Sequence, residues 1–188
     1  MKEITTLTVK LFLFCTIVAA LLAGVNSITQ PIIAANEEKN FQLSMQEVLP
    51  DAGSFKQAET VYTPEESGVT VSSVYQAENG GYVVSAVCSE GYGGDVSVMV
   101  GINKDLSVHQ VRIMSMSETP GLGAKATDEK FTNQYQSLTG SIEVIKNAAP
   151  GGNQIQALSG ATVTSRAVTK AVNAALAAAN HAERGNVE

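Results

Sequence analysis

An almost wholly apolar stretch runs from Leu11 to Val25, and it extends back through Lys10 to Thr8 when the lysine reaches towards an interface. That length sits at the short end of the roughly 17 to 25 residues needed to span a bilayer as a helix. From Asn26 to Leu49 the chain turns polar, with Ile28, Ile32, Phe41, Met45 and Val48 spaced as on a broken helix that Pro50 stops. The pattern then changes to strands. Val69 to Gln76 and Tyr82 to Cys88 flank Asn79-Gly80, a hairpin signal. Val96 to Ile102 and Leu106 to Met114 flank Asn103-Lys104-Asp105, and the alternation of Val96, Val98, Val100 and Ile102 predicts one buried sheet face. An irregularity is expected at His109-Gln110. Between the hairpins, Glu90-Gly91-Tyr92-Gly93-Gly94 is too rich in glycine for a strand centre and reads as a loop or close-approach site.

Helical spacing appears over Asp128 to Leu138, with Phe131, Tyr135 and Leu138 on one side and Thr127 as a cap. A short strand at Ile142 to Ile145, a loop over 147–153 and an extended Ile155 to Leu158 lead to a last helix that repeats Val168, Val172, Ala175 and Ala179. Strands followed by covering helices predict an α+β domain in which helices pack on an antiparallel sheet. The expected division is 1–27 for a start and single transmembrane anchor, 28–53 for a juxtamembrane helix or linker, and 54–188 for one globular domain.

The apolar start also fits a cleaved signal peptide, with Lys2 and Lys10 ahead of it and Ala19, Ala20 and Ala23 inside it. Retention is favoured by the apolar positions that continue to Ile33 and by the lack of a clean Ala-x-Ala exit before Asn26. The lysines against Glu37-Glu38 set the N-terminus inside and the domain outside the cytoplasmic membrane. A net charge of −6 with no basic tract argues against nucleic-acid binding. Cys15 and Cys88 lie in unrelated contexts and are expected unpaired, and His109 and His181 have no metal or protease spacing around them.

Two motifs carry chemistry. Ser159-Gly160-Ala161-Thr162-Val163-Thr164-Ser165 puts hydroxyls at a helix start, where unpaired N–H groups and the positive end of the dipole favour phosphate oxygens. Ordinary capping explains the same residues. The pattern is neither a phosphate-binding Gly-Lys-Ser/Thr loop nor a dinucleotide fingerprint. In Glu118-Thr119-Pro120-Gly121-Leu122-Gly123-Ala124-Lys125, Pro120-Gly121 suits a turn with positive φ at glycine, and Gly123 admits a close neighbour.

Taken together with Gly91-Tyr92-Gly93-Gly94 and the apolar start, these motifs resemble the covalent-FMN-binding family of RnfG/RsxG, a component of the Rnf ion-translocating electron-transport complex, and of the related NqrC. The resemblance implies FMN joined through its phosphate to Thr162 by a separate flavin transferase, with Thr164 as the local alternative. It implies further cofactor contacts from Ser159, Gly160, Ala161, Val163, Glu118, Thr119, Gly121, Leu122, Gly123 and Lys125. Backbone N–H groups of Gly160 to Val163 would hold the phosphate, and Lys125 would favour anionic reduced flavin. The family tends to have an aspartate three residues before the first serine of the motif, where this chain has Gln156. The implied role is electron carriage within a ferredoxin- and NAD-linked membrane complex, without independent turnover. Iron–sulfur and nicotinamide chemistry would then reside in partner subunits, since the chain has no motif for either. A stand-alone or NqrC-like flavin carrier, and a secreted module without flavin, are the alternatives.

Overall fold

The computed structural model describes residues 2–58, 62–64, 66–146 and 148–185. The chain divides into two compact units, Met1–Leu43 and Ser44–Glu188. Helix α1, Lys2–Val48, accounts for the first unit and supplies the opening residues of the second. It is continuous, where the sequence pattern predicts a break. Pro31 lies inside it, where it lacks a backbone donor, and the helix runs through it without interruption. Among the described residues α1 is the one helix long and apolar enough to cross a membrane. Its large apolar side chains from Ile4 to Ile33 are exposed, which suits a lipid or helix-packing environment.

The second unit is built on a five-stranded antiparallel meander in sequence order: β1 (Phe55–Gln57), β2 (Val69–Ala77), β3 (Tyr82–Cys88), β4 (Val96–Ile102) and β5 (Val108–Met116). β3 and β4 begin and end where the sequence pattern puts them. At the β2–β3 turn Gly80 takes φ +86°, and the Asn79 side-chain oxygen accepts from the Gly81 N–H at 2.9 Å. The register of β4 against β5 slips between Gly101/Gln110 and Ile102/Val108, so the bulge falls at His109, where the sequence leads one to expect it.

Both sheet faces are covered, where the alternation predicts one buried face, because the end of α1 packs on the second. On one, α3 (Thr162–Gly185) lays Val168, Val172, Ala175 and Ala179 against Tyr82, Val84, Val98 and Val100, all buried. The alanines on this helix face let its backbone come close to the sheet, and each fully buried valine contributes about 1.5–3 kcal/mol of transfer free energy. On the other face lie Val83 and Met99, with Met45, Val48 and Leu49 also buried. A side chain at Gly101 would overlap the Val48 carbonyl, so the end of α1 packs directly on this face. Residues 44–48, which the sequence pattern assigns to the stalk, therefore belong to the folded unit.

The helix expected over 128–138 is instead a chain of short turns: a 3₁₀ turn at Gly123–Thr127, α2 at Glu129–Thr132 and a second 3₁₀ turn at Asn133–Tyr135. Thr127 does not cap it, because its hydroxyl donates to the Ala124 carbonyl at 2.9 Å. Ser137, at φ +63°, ends the segment. The predicted apolar side survives: Phe131 and Tyr135 are buried edge to face, and the Tyr135 hydroxyl meets that of Thr169 at 2.8 Å. Strands β6 (Glu143–Ile145) and β7 (Gln154–Gln156) form a separate parallel pair. Asn147, in the loop expected over 147–153, lies outside the described residues. Cys15 and Cys88 are both free. His181 is exposed, and His109 is half-buried.

Candidate functional site

The parallel pair delivers the chain to the start of α3. Backbone bonds from the Ala157 N–H to the Ile145 carbonyl (2.9 Å) and from the Ala161 N–H to the Leu158 carbonyl (3.0 Å) shape the approach, and Gly160 turns it with φ +76°. Among the described residues no side chain caps the first-turn N–H groups of this helix, and Ser165 braces the approach instead. The buried Ser165 Oγ accepts from the Leu158 N–H and donates to the Ala161 carbonyl, both at 2.9 Å. Ser159 and Thr162 make no side-chain hydrogen bond among the described residues, which corrects the expectation that they cap the helix. The Ala161 N–H is also taken, so the donors left for an anion are those of Thr162, Val163 and Thr164 in the first turn.

The second motif forms the opposing wall. Thr119-Pro120-Gly121-Leu122 is a turn closed by the Leu122 N–H on the Thr119 carbonyl at 3.2 Å, with φ +78° at Gly121. No atom lies near the position of a Gly121 side chain, so this glycine is needed for its backbone angle and not for room. Gly123 is the reverse case. A Cβ there would stand 2.6 Å from Glu118 Oε2 and 2.7 Å from Thr164 Oγ1. Gly123 therefore admits two neighbours, Glu118 of its own motif and Thr164 of the other. Leu122 meets that other motif too, its Cδ2 lying 3.0 Å from a Cβ built on Gly160.

Between the walls lies a cleft of about 850 Å³. It is lined by Glu118, Thr119, Leu122 and Gly123 from the first motif and by every residue from Ser159 to Thr164 of the second. Gly121 and Lys125 are not among the lining residues, and both are exposed on the outer side of the turn. The cleft instead contains Lys146, its one cation among the described residues, at the end of β6. Tyr92, Gln156, Ala157 and Leu158 complete the lining. Sequence reasoning noticed the loop around Tyr92 without giving it a role, and nothing near Lys146 marked it. Gln156 is held through its backbone: its N–H donates to Gln134 Oε1 at 2.8 Å, and its side chain stays exposed in the cleft.

Thr162 is half-buried, whereas Thr164 is buried against Gly123. Glu118 is 9% exposed, and its Oε1 accepts from the Tyr92 N–H at 2.8 Å and the Gly93 N–H at 3.4 Å. No cluster of potential metal ligands occurs among the described residues. A volume of this size falls within the roughly 300–1,000 Å³ of small-molecule sites. Its apolar walls, first-turn N–H groups and uncommitted hydroxyls fit a flat aromatic ligand that carries a phosphate.

An apolar helix long enough to cross a membrane, followed by a domain with such a cleft, defines a class of protein that presents a pocket for a phosphorylated aromatic ligand. The profile of the FMN-binding domain family matches residues 91–177, and that of the RnfG N-terminal region matches residues 1–48. The chain is 32% identical to the G subunit of the proton-translocating ferredoxin:NAD(+) oxidoreductase complex of Clostridium ljungdahlii, covering 93% of this chain and 91% of that one. To the G subunit of the Na(+)-translocating ferredoxin:NAD(+) oxidoreductase complex of Acetobacterium woodii it is 35% identical, over 92% and 89% of the two chains. It belongs to this family, the G subunits of Rnf-type ion-translocating oxidoreductases. In fold it is similar to the solved structure of Shewanella oneidensis NqrC, with a TM-score of 0.51 at 21% identity over 61% of this chain and 62% of that one.

Proposed function

We propose that this chain is the membrane-anchored flavoprotein subunit of an Rnf-type complex, carrying electrons through FMN esterified by its phosphate to Thr162. The observation that carries the reading is the meeting of two motifs, distant in sequence, on one cleft where the Thr162 hydroxyl is not consumed by capping. When bound, the flavin supplies the one- and two-electron chemistry, which no side chain of the cleft has. The protein supplies position. Thr162 tethers, the first-turn N–H groups of Thr162 to Thr164 hold phosphate oxygens, and Leu122, Leu158 and Val163 give the ring an apolar surround. Lys146, in the role first expected of Lys125, places positive charge where reduced flavin gains negative charge.

Attachment requires a separate flavin transferase and an activated flavin nucleotide. The Thr162 oxygen forms the new P–O bond, the nucleotide leaving group departs with the bonding electrons, and the hydroxyl proton passes to a base of the transferase. Helix α1 anchors the domain from a cytoplasmic N-terminus, so the cleft works on the extracytoplasmic side, beside iron–sulfur and other membrane subunits that exchange electrons with it. We assign 1–27 to the start and anchor, 28–53 to the linker and 54–188 to the flavin domain, with the buried end of α1 contributing to that domain's core. Co-production of the full chain with a flavin transferase tests the reading. Covalent flavin on the parent and none on Thr162→Ala is the expected result, and flavin retained by Thr162→Ala overturns the assignment.

A further inference from the structure

The glycine-rich loop at 91–94 stays unexplained by the tether and the turn. Three observations give it a role. The buried Glu118 carboxylate accepts from the Tyr92 and Gly93 N–H groups. A Cβ at Gly93 would overlap the Ser117 carbonyl, and one at Gly91 would lie 2.9 Å from Glu118 Oε1. The loop is thus pressed onto residues 117–118 and fastened there by a charged acceptor, an arrangement stronger than a neutral hydrogen bond. Tyr92 itself is 74% exposed yet lines the cleft. In the described part of the second unit the large exposed apolar side chains are Tyr92, Leu122 and Val163, and all three line this same cleft.

We propose that Glu118 is a positioning residue that fixes Tyr92 through its backbone, so that the tyrosine ring forms one side of the flavin pocket. The proposal rests on the flavin reading above and adds an aromatic wall to the cleft that holds the tether. The cost of burying a carboxylate is offset by the two N–H bonds, and what they hold in place is a ring with no interior packing of its own. An acceptor is what this role needs. The Glu118→Gln variant keeps one carbonyl oxygen for the Tyr92 N–H, whereas Glu118→Ala releases the loop.

The test uses the full chain in detergent, flavinylated by co-production with the transferase, and compares Glu118→Ala, Glu118→Gln, Tyr92→Ala and Glu118→Ala/Tyr92→Ala. Covalent flavin is scored on denaturing gels, and accessibility of the native flavin is scored by iodide quenching. An aromatic contact shifts the equilibrium between covered and uncovered flavin ring by about 2- to 10-fold, which iodide quenching reads. On the flavinylated fraction of each protein, Glu118→Ala and Tyr92→Ala should each raise quenching to that extent, the double variant should rise no further, and Glu118→Gln should stay near the parent. Unchanged quenching in Tyr92→Ala, additive effects in the double variant, or a Glu118→Gln as open as the alanine variant each overturns the proposal. If Glu118→Ala does not fold, the exposed Tyr92→Ala and the conservative Glu118→Gln still decide it. A parent without flavin defeats the earlier reading instead.

Discussion

Replacing Gly123 by alanine tests whether the two motifs are joined as tightly as the cleft requires. The added Cβ would lie 2.6 Å from Glu118 Oε2, 2.7 Å from Thr164 Oγ1 and 2.9 Å from Glu118 Cβ. Neither neighbour can easily yield: Glu118 is fastened to the Tyr92 N–H, and Thr164 is buried in the first turn of α3. Overpacking of this kind costs about 1–3 kcal/mol. For a domain of this size that lowers the melting temperature by roughly 3–10 °C. Gly121→Ala is the control, since its side chain meets open space and pays only for φ +78°, about 1 kcal/mol. Thermal unfolding of the full chain in detergent at one fixed scan rate reads both. Gly123→Ala should melt lower than Gly121→Ala and load less flavin. A Gly123→Ala protein within about 1 °C of the parent, the range of an indifferent surface change, would refute the close contact.

If α1 is a retained anchor, intact mass of membrane-extracted protein should begin at Met1 or the residue after it; a chain beginning near residue 26 defeats that expectation. Lys146→Gln should lower the flavin's reduction potential by removing the cleft's cation, roughly 1 kcal/mol or about 20 mV for a two-electron couple, and an unchanged potential by spectroelectrochemistry removes the role assigned to it. Asp105 is held below its ordinary value of 3.8 by hydrogen bonds from the Ser107 hydroxyl and N–H. A depressed carboxylate stabilises above its unfolded value and loses that contribution as pH falls through the folded value. Asp105→Asn should therefore be slightly less stable than the parent at neutral pH and approach it in acid. A difference that grows on acidification in paired melts contradicts this.

What was legible in the sequence was what local chemistry determines. Alternation along Val96 to Ile102 marks a strand, but the burial of Val83 and Met99 as well as Val84 and Val98 shows both faces covered, because the end of α1 packs where alternation alone suggests solvent. Asn79-Gly80 located a turn, since few residues take positive φ. Over 128–138 the helical spacing of Phe131 and Tyr135 is one that three successive short turns also satisfy, so spacing alone does not distinguish them. The parallel pairing of Glu143–Ile145 with Gln154–Gln156 has no local signature, and with it went the position of Lys146. In the cleft, Thr119, Leu122, Gly123 and Ser159 to Thr164 came together as the motifs implied. Lys125 did not, because the 3₁₀ turn that begins at Gly123 carries it to the exposed side. The bond from the Leu158 N–H to the Ser165 hydroxyl spans seven residues and has no local signature in the sequence.

The central claim is the bond at Thr162. The most direct measurement is mass mapping of the tryptic peptide spanning 147–166, which holds Ser159, Thr162, Thr164 and Ser165, from full-length chain co-produced with a flavin transferase. Fragment ions should place one FMN, less one water, on Thr162, with Thr164→Ala still modified and Thr162→Ala unmodified. An unmodified parent peptide, or FMN mapped to Thr164 or either serine, contradicts the account.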